Sequence, residues 1–261
     1  MAGVTDAPFR ALAWRFGAGH VVGEMVSAKS ELWDTEKSRL RRRTVTGISP
    51  VAVQIAGGDP ETIADAARRH WQDGADIVDI NFGCPAKKVC RKAAGSALLA
   101  DEQLVARIIA AAVAAVPVPI TVKIRSGFSP AQKNGVAIAA IAQEEGARAV
   151  VVHGRTRACR FLGAAEYDTV AAIKSRLSIP VIANGDIRSG TEAREVLTAT
   201  GVDAVMIGRA ALGAPWLLGQ IAGEIEEPDT AEKIATMIDH VRAGHAFYGP
   251  AGVRIMRKHV R

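Results

Sequence analysis

Three observations predict an α/β fold, a (β/α)8 TIM barrel whose first strand is missing from this chain. Seven short apolar runs alternate with amphipathic runs of helical length, the pattern of repeated β-α units with right-handed crossovers. Each apolar run is hydrophobic on both faces for most of its length, as strands in a covered parallel sheet are. A polar residue ends most of them: Gln54, Asn81, Lys123, His153, Asn184 and the pair Gly208-Arg209. One strand-end lysine or histidine means little, but six such positions would converge on the face where parallel barrels carry their chemistry.

The elements follow in order. The chain opens with Met1-Ala2-Gly3-Val4-Thr5-Asp6, which reads as a strand-to-helix turn with no strand before it. Asp6 or Thr5 can cap a helix over Ala7–Phe16. Strands are expected at Val21–Met25, Val51–Ile55, Asp76–Asn81, Ile120–Ile124, Ala149–His153, Pro180–Asn184 and Asp203–Ile207. Helices are expected at Glu61–Asp73, Asp101–Ala115, Gly135–Glu145, Glu166–Arg176 and Thr191–Ala199. Seven strands fall one short of a closed barrel, so a lost first strand is expected; an open seven-stranded sheet is the alternative. Residues 230–261 read as two helices, Thr230–Phe247 and Val253–Arg261, split by Tyr248-Gly249-Pro250. The expected division is a barrel over 1–225 and the incomplete start of a helical domain over 226–261, so both ends read as trimmed.

Composition narrows the function classes. The 261 residues, 49% hydrophobic, suit one core of barrel size, for which roughly 250 residues are usual. A net charge of +6 favours anionic partners. Three cysteines without a Cys-x-x-Cys pair argue against a zinc site and a disulfide framework, and fit reduced thiols in the cytoplasm. No apolar run approaches the ~20 residues of a membrane helix.

The most informative stretch is Asp79-Ile80-Asn81-Phe82-Gly83-Cys84-Pro85. A strand breaks at Gly83 and delivers a thiol into the following loop. The loop continues Ala86-Lys87-Lys88-Val89-Cys90-Arg91-Lys92-Ala93-Ala94-Gly95, basic and made of small residues, which suits a polyanion better than a small apolar metabolite. Free cysteine is often only a small buried hydrophobe, but this context points to a proton donor presented to a nucleic acid. Further basic clusters lie at Lys37–Arg43, Arg155–Arg157 and Arg254–Arg261. After the late strands, Asn184-Gly185-Asp186 and Gly208-Arg209-Ala210-Ala211 stand where barrels commonly grip a phosphate. An anionic cofactor with a flat ring over the mouth is therefore expected.

Several motifs, in this order, resemble the tRNA-dihydrouridine synthases: Met1-Ala2-Gly3-Val4-Thr5-Asp6, Asn81-Phe82-Gly83-Cys84-Pro85, Val122-Lys123-Ile124-Arg125, His153-Gly154-Arg155-Thr156-Arg157, Asn184-Gly185-Asp186-Ile187 and Met206-Ile207-Gly208-Arg209. Gln54-Ile55-Ala56-Gly57, Cys84–Val89 and Phe247-Tyr248-Gly249-Pro250 are similar to the bacterial B-type subfamily. The resemblance runs nearly end to end. It implies a monomeric FMN barrel that uses NADPH to reduce a uridine of tRNA. It further implies that Gln54, Lys123, His153, Asn184, Gly185, Asp186, Gly208 and Arg209 bind FMN, with Met1 and Ala2 lining the first loop. Cys84 is implied as the proton donor. Asn81 and Arg155 are implied near the flipped base and the flavin; the basic residues Lys87, Lys88, Arg91 and Arg157 are expected to face tRNA on the strength of their charge, and no metal is expected.

The residue types suit that chemistry. Charge that develops on a uracil ring after hydride addition must be quenched by a proton, and an ordinary thiol is largely protonated at neutral pH. A fixed lysine near a flavin ring favours its anionic reduced form. Two other readings stand beside this one: an FMN barrel that reduces a small molecule, and a non-catalytic RNA-binding remnant.

Overall fold

The computed structural model describes residues 1–90 and 94–260. Its centre is a seven-stranded parallel sheet in which every strand pairs with the next in sequence. The strands are β1 (Val22–Ser27), β2 (Ala52–Ala56), β3 (Ile77–Asn81), β4 (Ile120–Arg125), β5 (Ala149–His153), β6 (Val181–Asn184) and β7 (Ala204–Met206). The helices are α1 (Ala7–Arg15), α2 (Glu36–Arg42), α3 (Pro60–Gln72), α4 (Lys87–Cys90), α5 (Glu102–Ala115), α6 (Gly135–Glu144), α7 (Asp168–Arg176), α8 (Gly190–Thr200), α9 (Leu217–Ala222), α10 (Thr230–Tyr248) and α11 (Gly252–Met256). The strands expected from sequence are all present, with ends shifted by the usual residue or two.

Helix starts follow local chemistry. Asp6, Asp59, Asp101 and Ser189 each turn a side-chain oxygen onto a backbone N–H of the first turn of α1, α3, α5 and α8. Each cap satisfies a donor the helix cannot use itself.

The strand alternation divides the molecule into two environments. Ile55, Ile80, Val122, Val150 and Val181 are register partners across β2–β6 and face outward. They are fully buried against Ile63 of α3, Ile108 of α5, Ile138 of α6 and Ile173 of α7. Burying each such side chain contributes about 1.5–3 kcal/mol, so this layer fixes the strand registers. The inward row is polar on β2–β4 and at the ends of β5 and β6. Gln54, Asp79 and Thr121 share one register level; Asn81 and Lys123 share the next with Val151 and Ile182; Arg125, His153 and Asn184 share another. The expectation of strands apolar on both faces therefore fails on the inner face of β2–β4 and holds for β5 and β6 up to their last residues.

The sheet curls so that distant strands share one mouth. Lys123 on β4 bonds Asn184 on β6, two strands away. Gly3 N–H donates to Glu24 of β1. The Met1 sulfur lies 3.8 Å from where a Cβ on Gly208, after β7, would stand. Residues Met1–Asp6 thus lie at the mouth end between the two edge strands. No strand precedes α1 among the described residues.

Three segments differ from expectation. Residues 37–43 were read only as a charge run, yet Thr35 caps α2 there, and Arg39, Arg41 and Arg42 fill its last turn, where cations suit the helix dipole. The stretch after Cys84 is not all loop: α4 and a 3₁₀ turn at Gly95–Ala100 occupy much of it. The final helix is broken, α11 giving way to a 3₁₀ turn at Arg257–His259. α10 returns to the barrel, where Tyr248 Oη donates to Asp6 Oδ2 at 2.8 Å and the Phe9 ring stacks near His240 and His259.

Candidate active site

β3 places Cys84. Asn81, its last residue, accepts N–H bonds from Gly83 (3.1 Å) and Cys84 (2.8 Å) on Oδ1, an Asx turn that bends the chain over the mouth. The Cys84 carbonyl accepts from the N–H of Ser96 at 3.1 Å and from its hydroxyl at 3.0 Å. The thiol-bearing residue is thus fixed through both of its peptide groups, and it remains half-buried.

A second group converges on Asn184. Its Nδ2 donates to the Met206 carbonyl (2.8 Å), which fixes the amide's orientation. Its Oδ1 then accepts from Lys123 Nζ (2.9 Å) and from His153 Nδ1 (3.1 Å). His153 therefore carries its proton on Nδ1 and offers its Nε2 lone pair to Arg155 Nη1. Burial, helped by the Lys123 and Arg125 charges, pushes the His153 pKa down to about 3, so the ring is neutral. Burial also lowers Lys123 to about 8, against the opposing pull of Asp79. Two of the three ammonium hydrogens remain for a ligand.

The third group is a clamp. Arg155 is 4% exposed and spends all its N–H groups on protein. It grips both Asp186 oxygens (3.0 and 2.6 Å), the carbonyls of Leu162 and Gly163, and His153 Nε2 at 3.5 Å. Asp186 also accepts from Ala165 N–H and lies 3.6 Å from Arg209. Gly185 has φ +132°, and a Cβ there would meet the Ala165 Cβ at 2.8 Å, so only glycine fits. Arg125, 2% exposed, donates to the Gly83 carbonyl (2.7 Å) and to the Thr156 and Arg160 carbonyls (3.0 and 2.8 Å). One guanidinium thus joins the Cys84 loop to the loop after β5. That second loop carries Phe161, 54% exposed, with Arg125 and Arg209 at 5.5 and 5.2 Å from its ring and His153 edge-on at 6.4 Å.

A held thiol, a lysine, a neutral histidine and an exposed aromatic ring thus meet at one mouth. The family described as dihydrouridine synthase matches residues 1–261. The chain belongs to this family. It is 55% identical to tRNA-dihydrouridine synthase B of Pseudomonas putida, over all of this chain and 79% of that protein. It is 52% identical to the proteins of the same name from Xanthomonas axonopodis pv. citri and Escherichia coli, covering 80% and 83% of them.

The structure brings together most of the residues that the dihydrouridine synthase resemblance singled out. Lys123, Asn184, His153, Arg155 and Asp186 form one hydrogen-bonded set at the mouth, Gln54 and Asn81 pair with each other in a second, and the Gly185 carbonyl accepts from Tyr167. Met1 borders Gly208, while Ala2 is exposed in the same turn. Arg209 stands 60% exposed beside Asp186. Arg157 lies apart from this set, its guanidinium 4.7 Å from the centre of the Phe128 ring. Lys87 and Lys88 fall on α4; their side chains, and all of Arg91, lie outside the described residues. Arg125, Asp79 and Phe161 are functional-site residues beyond those expected. Arg125 and Asp79 stand in the same motifs as Lys123 and Cys84; Phe161 has no signal beyond its place four residues after Arg157.

A separate cleft is lined by Arg10, Glu24, Arg41, Arg42, Ile48 and His70 and shares no residue with the strand-end set. Among the described residues no helix is long and apolar enough to cross a membrane, and no group of three or more His, Cys, Asp or Glu could hold a metal.

Proposed function

We propose that this chain reduces uridine in tRNA to 5,6-dihydrouridine, using FMN that is in turn reduced by NADPH. The observation that carries the reading is Cys84, held through Asn81 one strand from Lys123 at the mouth of a chain matched throughout by the dihydrouridine synthase family. The mouth fits an anionic flavin. Lys123 has donors to spare, Arg209 is exposed, and a Cβ on Gly208 would find nothing nearer than Asn184 Nδ2 and the Met1 sulfur at 3.8 Å, an open cradle. Lys123, His153, Asn184 and Gln54 would hold the ring end; Gly185, Gly208 and Arg209 the phosphate end; Met1 and Ala2 the near wall.

When bound, FMN supplies a hydride for C6 of the uracil ring. Cys84 delivers a proton to C5 and recovers it from solvent. Lys123 favours negative charge at the mouth. Asn81 and the Arg155 clamp shape the base's seat, and Phe161 offers an aromatic face to a uracil withdrawn from its stack. Lys87, Lys88, Arg91 and Arg157 meet tRNA phosphates. In this reading the enzyme works as a monomer in the cytoplasm, without a metal.

The test is NADPH oxidation by the purified protein. Unmodified tRNA should stimulate it and small enones should not. Turnover of enones without a response to tRNA would assign a small-molecule reductase. A colourless protein that only binds tRNA would assign an RNA-binding role.

A further inference from the structure

One buried acid inside the barrel has no role in the site as described. Asp79 is 4% exposed and points inward from β3. Its Oδ1 accepts from Thr121 Oγ1 (2.7 Å) and its Oδ2 from Gln54 Nε2 (2.8 Å). Gln54 Oε1 accepts from Asn81 Nδ2 (2.9 Å). Asn81 Oδ1 accepts from the N–H groups of Gly83 and Cys84. The result is an unbroken chain from Asp79 to the backbone of Cys84.

Each amide in that chain has a donor end and an acceptor end, and either could be turned around. The ends of the chain decide. Backbone N–H groups only donate, so Asn81 must face them with its oxygen. An ionised carboxylate only accepts, so Gln54 must face Asp79 with its nitrogen. With both ends fixed, one orientation of the two amides avoids a contact between like groups. Thr121 does not decide, because a hydroxyl can donate or accept.

We infer that Asp79 is a positioning residue: through Gln54 and Asn81 it anchors the far end of the hydrogen-bond chain that holds the Cys84 turn. The inference rests on Cys84 as proton donor for its functional meaning, but not for its structural one. Without an acceptor at position 79, Gln54 loses its anchor, Asn81 loses the fixed partner on its Nδ2, and the thiol loses its fixed height over the mouth.

The test reverses the chain. Asn81→Asp puts a second acceptor beside Gln54, which can then satisfy only one of two carboxylates. Asp79→Asn combined with Asn81→Asp turns the two inner bonds round: the new amide donates to Gln54 and Gln54 donates to the new carboxylate, while Thr121 still donates to the oxygen at position 79 and the Gly83 and Cys84 N–H groups still donate to position 81. Hydrogen exchange of the Gly83 and Cys84 amides is the readout, with the full chain loaded with flavin. Asn81→Asp should speed their exchange about tenfold, and the double variant should return it to within about threefold of the parent. On tRNA, Asn81→Asp should lower kcat more than it raises KM, and the double variant should recover part of the loss. Exchange unchanged by Asn81→Asp, or no slower in the double variant than in the single, would overturn the inference. Full activity of Cys84→Ala would instead remove the proton-donor reading and leave the exchange result standing.

Discussion

Arg125→Met should loosen both loops that meet over the site. The guanidinium makes three bonds to backbone carbonyls, on the Cys84 loop and on the loop carrying Phe161. A hydrogen bond from a charged donor contributes about 1.5–3 kcal/mol. Against this stands the cost of burying the charge. Burial lowers the Arg125 pKa to about 10, a cost on the order of 3 kcal/mol. Three such bonds set against that cost leave a net loss of roughly 2–6 kcal/mol in the variant, and the melting temperature should fall by at least about 4 °C. Arg125→Lys keeps the charge but lacks the planar fork that bridges both loops. It should recover part of the stability while turnover on tRNA stays about tenfold or more below the parent. Calorimetry on the three proteins, beside initial rates on unmodified tRNA, makes the comparison. A methionine variant that melts within about 1 °C of the parent and turns over normally would refute the idea that this guanidinium couples the loops.

Other outcomes follow from the same geometry. Cys84→Ala should leave flavin content and NADPH-driven flavin reduction intact and lower dihydrouridine formation by roughly 10²–10⁴, whereas Cys90→Ala and Cys159→Ala should be mild; a normal Cys84→Ala enzyme beside a dead Cys90→Ala one would reassign the donor. Lys123 has its folded pKa lowered from 10.5 to about 8. The folded protein then binds fewer protons than the unfolded one between those values, so this group makes flavin-free stability rise with pH from about 8 to 10.5. Flavin affinity should instead fall as pH rises through about 8, and Lys123→Met should flatten both profiles; profiles identical to the parent's would remove the lysine from the ring site. Phe161→Ala should raise KM for tRNA about tenfold, by loss of stacking worth about 1–3 kcal/mol, with flavin content unchanged; an unaltered KM places the base elsewhere.

Much of the fold was legible because its signals are local. The strands at Ile120–Arg125 and Ala149–His153 are apolar runs between helix-forming stretches, and Asp6 was readable as a cap next to Ala7-Pro8. α2 was hidden because its seven residues carry no apolar period, only charge around Leu40. Strand-end positions gave most of the site, since Gln54, Lys123, His153 and Asn184 each end or nearly end a strand. What sequence could not give was partnership. Arg155 sits in a motif that suggests contact with substrate, but its donors are consumed by Asp186 and by carbonyls seven and eight residues on. Arg125 draws acceptors from segments 42 residues before it and 31 and 35 after it. Asp79 reads as an ordinary polar residue in a strand until the register of β3 with β2 and β4 sets it between Gln54 and Thr121.

The central claim is that Cys84 protonates a tRNA uridine at the mouth where Lys123, His153 and Asn184 meet. Single-turnover reaction of the pre-reduced enzyme with unmodified tRNA, without oxygen, tests it most directly. Flavin reoxidation and the tRNA's gain of two hydrogens should proceed together in the parent, and both should slow by the same large factor in Cys84→Ala. Flavin reoxidised without hydrogens gained by the tRNA, or a Cys84→Ala enzyme as fast as the parent, would contradict the account.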